Sequence, residues 1–329
     1  MLIGWIPCAV IVGFLAVTTG FMPGGQPQVV ATNSPIGLDE MAARLKAHVS
    51  ALATDIGERS AFSTPEMLSR SADYVRNEFR KLEYEVISNA FEAGGIDVEN
   101  LATVIPGSKR PHEIVVVGAH YDSALGTPAA NDNGSGIAAL LELARALRGR
   151  NLDRALHLVA FTTEEPPFFQ TGEMGSMQYA KHLRGTNDHV VAMLSLETLG
   201  YYSDVPGSQR YPPGLDAFYP HTGNFVAFVG NVGSFGLMRQ CLKQFQQAST
   251  FPSQGAALPG FLPGVGWSDH WSFWQHDYDA IMVTDTAPFR YFDYHEASDT
   301  PEKIDYERMA QVVSGLESVV IDLATVAES

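Results

Sequence analysis

The chain has 329 residues, 45% of them hydrophobic, which suits a sizeable core and excludes a disordered or fibrous sequence. Lys and Arg number 21 against 37 Asp and Glu, a formal charge of -16, so there is no basic surface to neutralise a phosphate backbone and no nucleic-acid partner is expected. An acidic surface attracts cations, a peptide's free α-amino group among them, and with only Cys8 and Cys241, far apart, any metal must be held by His, Asp or Glu.

Residues 1–22, "MLIGWIPCAVIVGFLAVTTGFM", carry no charge and are long enough to cross a bilayer at about 1.5 Å per residue. They read as an export signal or a membrane anchor, which would put the folded domain outside the cytoplasm, secreted, periplasmic or tethered; the alternative is a buried helix of a cytosolic protein. The first basic residue is Arg44, so charge does not orient the segment. Residues 23–35, "PGGQPQVVATNSP", have the composition of a linker, and the folded domain is expected over 36–329.

"GLDEMAARLKAHVSALATDIG" has apolar residues at helical spacing, and "TPEMLSRSADYVRNEFRKL" offers Thr64 as an N-cap with Pro65 at the first helical position. Six strands are predicted next: "YEVISNAF", "NLATVIPG", "EIVVVGAH", "ALHLVAFTT", "VVAMLSLET" and "DAIMVTDT". In "GIAALLELARALRG", Ile137, Leu140, Leu141, Ala144 and Leu147 share one helix face, and Gly149 is placed to end it. "YSDVPGSQRYPPGLDAFYPHTGNF" reads equally as a pocket rim or lid and as a plain surface loop. A long helical pattern from Pro301 closes the chain, so the order of elements is that of an α/β fold.

In open α/β sheets ligands bind beyond the carboxyl ends of the strands. His120, Asp122 and Asp132 follow "EIVVVGA"; Glu164 and Glu165 follow "ALHLVAFTT"; Glu197 ends "VVAMLSL"; His295 comes after "AIMVTDT". Singly, a Glu-Glu pair is ordinarily a solvated turn, a lone His a surface or core residue, and Asp132 between two asparagines a turn and helix cap. Together at strand ends they form a nitrogen and oxygen donor set without thiolates, which suits zinc, with manganese or cobalt as alternatives, and has enough ligands for two ions.

"GAHYDS", "ANDNGSG", "FTTEE", "LSLETLGYY", "GWSDHWSFW" and "YHEASDTPEKIDYERM" resemble, in order and spacing over about residues 60–320, the zinc aminopeptidases that include secreted bacterial leucine aminopeptidases, with glutaminyl cyclases more distant. The resemblance implies a single α/β domain, with a mixed, mostly parallel sheet of about eight strands flanked by helices. It makes His120 and Glu197 ligands of one zinc, Glu165 and His295 ligands of a second, and Asp132 the bridge between them. Glu164 becomes the general base, and Asp122 the partner that orients His120. Many members have aspartate where Glu197 stands. The resemblance also implies a cis peptide after Asp132 and places Asp269 and His270 beside the site in a supporting role.

The activity implied is removal of N-terminal residues from peptides with a free N-terminus. Glutaminyl-peptide cyclisation with one zinc is the alternative, and a non-catalytic ectodomain is a third, disfavoured because every ligand position holds a competent residue.

Overall fold

The computed structural model describes residues 37–186 and 188–326. The apolar segment 1–22 and the linker 23–35 lie outside the described residues, and no helix among those described is long and apolar enough to cross a membrane.

Among the described residues there are eight strands: β1 (Ile87–Ala93), β2 (Ile96–Ile105), β3 (Gly107–His120), β4 (Leu152–Phe161), β5 (His189–Glu197), β6 (Val226–Asn231), β7 (Ser253–Leu258) and β8 (Ala280–Thr284). They form one mixed sheet in the order β1-β2-β4-β3-β5-β8-β6-β7. Its centre, β4, β3, β5 and β8, is parallel, so these four carboxyl ends lie along one edge. The β1-β2 hairpin joins antiparallel to β4, and β6 joins antiparallel to β8 with β7 parallel beside it.

All six predicted segments are strands, and two further strands complete the sheet. β6, "VAFVGN", is short and follows directly on the Pro- and Gly-rich loop; β7, "SQGAAL", lacks both β-branched residues and alternation. Pairing with its neighbour fixes β7, since strand preference depends more on packing context than on intrinsic propensity.

The helices are α1 (Leu38–Ser50), α2 (Pro65–Lys81), α3 (Gly136–Leu147), α4 (Gly175–Arg184), α5 (Phe235–Ala248), α6 (His270–Trp274), α7 (Ala287–Arg290) and α8 (Tyr306–Ala324). The predicted stripe of α3 is wholly buried, and burying each of its leucine and isoleucine side chains contributes roughly 1.5–3 kcal/mol. α8 is shorter than its sequence pattern. Pro301–Lys303 forms a separate turn, Ile304 is extended, and the Asp305 carboxylate caps the helix by accepting from Arg308 N at 3.0 Å. Thr64 stands at the N-cap position of α2 with Pro65 after it, but its hydroxyl donates to the Glu58 carbonyl at 3.1 Å and makes no capping bond.

At the start of α3, a Cβ on Gly136 would lie 2.5 Å from the Leu196 carbonyl and 2.2 Å from Asn133 Oδ1. Only glycine lets this helix approach the end of β5 so closely.

Candidate metal centre and active site

Four strand ends bring the predicted residues together. His120 is the last residue of β3 and Glu197 the last of β5; Glu164 and Glu165 follow β4; Asp132 lies in the kinked turn Ala130–Ser135 before α3; His295 lies in the loop after α7. All are buried except His295, whose side chain is 36% exposed. The peptide bond between Asp132 and Asn133 is cis. Ala129, Thr163, Thr198 and His295 have left-handed backbone conformations, each costing about 1–3 kcal/mol, so the loops that carry the site are held by their surroundings.

His120 Nε2 lies 3.4 Å from Asp132 Oδ1, 3.4 Å from Glu197 Oε2 and 3.8 Å from Glu164 Oε2. His295 Nε2 lies 2.9 Å from Asp132 Oδ2 and 3.4 Å from Glu165 Oε1. Asp132 therefore turns one oxygen to each imidazole. Two donor subsets follow, His120–Asp132–Glu197 and Asp132–Glu165–His295, with Asp132 in both. A third grouping, His120–Glu164–Glu165, is also within reach of one ion.

Asp122 Oδ1 is 3.3 Å from His120 Nδ1, and the same carboxylate accepts from the backbone N–H groups of Glu164 at 3.1 Å and Glu165 at 3.0 Å. One carboxylate thus registers the end of β3 against the turn after β4. Ser268 donates to Glu197 Oε2 at 2.7 Å, and its hydroxyl is 2.7 Å from that of Ser195. Asp269 and His270 are fully buried beside this contact, and His270 Nε2–H donates to the Val265 carbonyl at 2.8 Å.

Both nitrogens of His120, Asp132 Oδ2 and Glu165 Oε1 are buried, and their close approaches to one another and to neighbouring groups include no well-directed hydrogen bond. Atoms of that kind are costly unless something else meets them. Burial alone would hold the His120 imidazole below its usual pKa, but the carboxylates of Glu164 and Glu197, with Asp122 and Asp132, push it well above. Burial works against the Asp132 carboxylate as well, and His120 and His295 still hold its pKa below the usual range. Burial pushes Glu164, Glu165 and Glu197 up. The carboxylates exceed the protein's own positive charge here, and a divalent cation taken by imidazole and carboxylate donors would balance them.

An apolar pocket, about 780 Å³ with the solvent at its open mouth counted in, adjoins Glu197. Its floor is Ala227 and Val229 from β6, Ala256 and Leu258 from β7, and Met282 from β8; Tyr294, Trp267 and Phe289 border it. The 202–225 loop supplies Gln209, Tyr211, Leu215, Tyr219 and Phe225, so it is a pocket wall, which decides between the two readings its composition allowed. Tyr211 and Tyr219 stack at 5.8 Å, and buried Arg290 pins the loop through Gln209 Oε1 at 2.7 Å and the carbonyls of Gly223 and Phe225 at 3.0 and 2.9 Å.

Several supporting residues carry no signature in local sequence. Arg59 is fully buried and donates to the carbonyls of Tyr121 at 2.7 Å, Pro128 at 2.7 Å, Ala129 at 2.9 Å and Gly57 at 3.2 Å. Its partners are carbonyls, which leave no mark in a sequence. Asp299 and the pocket residues are likewise gathered only by the fold.

Residues 100–320 match the model of peptidase family M28. The chain is 38% identical over 282 residues to the Escherichia coli (strain K12) protein named uncharacterized protein YfbL, covering 83% of this chain and 85% of that one. Among solved structures, the zinc aminopeptidase BSAP from Bacillus subtilis superposes with a TM-score of 0.66 at 16% identity, over 87% of this chain and 95% of that one. Fimbriiglobus ruber glutaminyl cyclase superposes with a TM-score of 0.64 at 20% identity, over 91% and 98%. At such identities the two structures establish a shared fold, and it is the expected α/β architecture. Family membership makes a peptidase hydrolase the functional class, and zinc is the metal its aminopeptidases carry in name. From the matched 221 residues and the long alignment with YfbL, the chain belongs to peptidase family M28.

Proposed function

We propose that this protein is a zinc aminopeptidase that releases large apolar residues from the free N-termini of peptides. The observation that carries this reading is the apolar cavity opening beside Glu197, next to two donor subsets that share Asp132. His120, Asp132 and Glu197 would hold one zinc ion, and Asp132, Glu165 and His295 a second. Zinc bound there would polarise the scissile carbonyl and make water more acidic.

The chain's own residues supply the rest. Glu164, buried with Oε2 3.8 Å from His120 Nε2, is the general base: it takes a proton from the attacking water and gives it to the leaving amine. Asp122 holds the backbone of Glu164 and Glu165 and faces the His120 ring, so it orients both. Glu197, which lines the cavity, would hold the substrate's α-amino group while the first side chain fills the pocket. Two complete donor subsets favour hydrolysis over cyclisation with one zinc. The N-terminal segment, as an export signal or anchor, would put this activity outside the cytoplasm.

The test is hydrolysis of aminoacyl-anilides and their N-blocked equivalents by the full chain, with glutaminyl-peptide cyclisation and metal content measured in parallel. Cleavage confined to free amino groups, fastest for Leu and Phe, with about two zinc ions per chain, is expected. Cyclisation with one zinc ion would overturn the reading. The pocket is tested separately by Ala256→Trp, which fills the cavity floor. It is expected to cut kcat/KM for Leu and Phe substrates by about 10–200-fold, the range that pocket contacts control, while sparing Ala substrates. Equal loss on all three would show that the side chain binds elsewhere.

A further inference from the structure

The donors of the two subsets are not equally well held. His120 and Glu197 end central strands of the sheet. Asp132 is braced by its neighbours on both sides. Asn131 Oδ1 accepts from Gly200 N at 2.9 Å and its Nδ2 donates to Asp285 at 2.9 Å. Asn133 Oδ1 accepts from Gly136 N at 3.0 Å and Thr198 N at 3.2 Å, and its Nδ2 donates to the Leu196 carbonyl at 2.8 Å. His295, by contrast, sits on a loop, with a left-handed backbone and a partly exposed ring.

Asp299, four residues further on, ties that loop down. Its side chain is fully buried, and its carboxylate accepts from Asn131 N at 2.9 and 3.1 Å, Asp132 N at 3.1 Å and the Tyr291 hydroxyl at 2.9 Å. Its main-chain carbonyl accepts from Ala130 N at 3.2 Å, and its own N–H donates to the Glu296 carbonyl at 3.0 Å. Residues on both sides of His295, Tyr291 and Asp299, are thus fastened to the Asp132 backbone through a single carboxylate. Without it, Asp132 keeps its asparagine braces, and His295 loses its register against Asp132.

We propose that Asp299 is a positioning residue that sets the affinity of the Asp132–Glu165–His295 subset for its ion and leaves the His120–Asp132–Glu197 subset unaffected. The inference rests on the reading that both subsets hold metal. Hydrogen bonds behind metal ligands typically govern 10–100-fold in metal affinity, about the effect expected here.

The test is calorimetric titration of the metal-stripped full chain with Zn²⁺, comparing the wild type with Asp299→Ala, Asp299→Asn and Tyr291→Phe, and with His295→Ala to identify the second ion. Asp299→Ala is expected to weaken by about 10–100-fold the same ion that His295→Ala weakens, with the other ion unchanged. Asp299→Asn keeps an acceptor for the two amides but loses the charge, and is expected to weaken that ion less. It also decides the matter if the alanine variant fails to fold. Tyr291→Phe removes one of the bonds and is expected to fall between wild type and Asp299→Ala. Unchanged affinity for both ions, or equal weakening of both, would overturn the proposal. A wild type that binds no ion would overturn the metal reading itself, in an arm that contains no Asp299 variant, and the proposal with it.

Discussion

Glu164→Gln is expected to lower the turnover of aminoacyl substrates by about 10²–10⁴-fold, the usual contribution of a positioned general base, with zinc content unchanged by elemental analysis. The carboxamide matches the carboxyl in shape but cannot take a proton. The backbone N–H of residue 164 still reaches Asp122, so the turn after β4 is retained. Metal content separates two roles the geometry allows, because Glu164 also belongs to a grouping with His120 and Glu165 that one ion can reach. Zinc lost together with activity would make Glu164 a ligand, and full activity would remove it from proton transfer altogether.

Arg59→Met is expected to destabilise the fold by several kcal/mol. Methionine roughly fills the space of the side chain's stem but donates nothing, so the carbonyls of Gly57, Tyr121, Pro128 and Ala129 lose a donor. The Ala129 carbonyl keeps Gly134 N at 3.1 Å, and each buried acceptor left unpaired costs about 1–3 kcal/mol. Against a typical total stability of about 5–15 kcal/mol, that leaves little margin. The guanidinium is also the buried cation that faces Asp122, Asp299, Asp132 and Glu165; burial lowers its pKa to about 10, so it stays charged at neutral pH. Denaturant unfolding checks the prediction, and a change below about 1 kcal/mol would show that the 121–129 loop finds other donors. Arg59→Lys, which keeps the charge and loses most of the fork of bonds, is expected to fall between the two.

Much of the candidate site is legible in the sequence. His120, Asp132, Glu164, Glu165, Glu197 and His295 are brought together because each comes at or after the end of an apolar run, and the runs become parallel strands whose carboxyl ends share an edge. Period and composition sufficed for α3 and for the central strands, where burial on both faces requires continuous Val, Leu and Ile. They did not suffice for β7, whose small residues form a strand because β6 lies beside it.

Donor chemistry, the order of elements and the edge on which the donors meet depend on residue type and local period, and so can be read from the residues alone. It is the packing of distant segments that turns one oxygen of Asp132 to each imidazole, makes the 202–225 loop the wall of an apolar pocket, and lets Arg59 and Asp299 hold the loops that carry the candidate donors. Those features are contacts between residues as much as 168 positions apart, largely to backbone N–H and C=O groups that every residue carries alike, so no local pattern announces them.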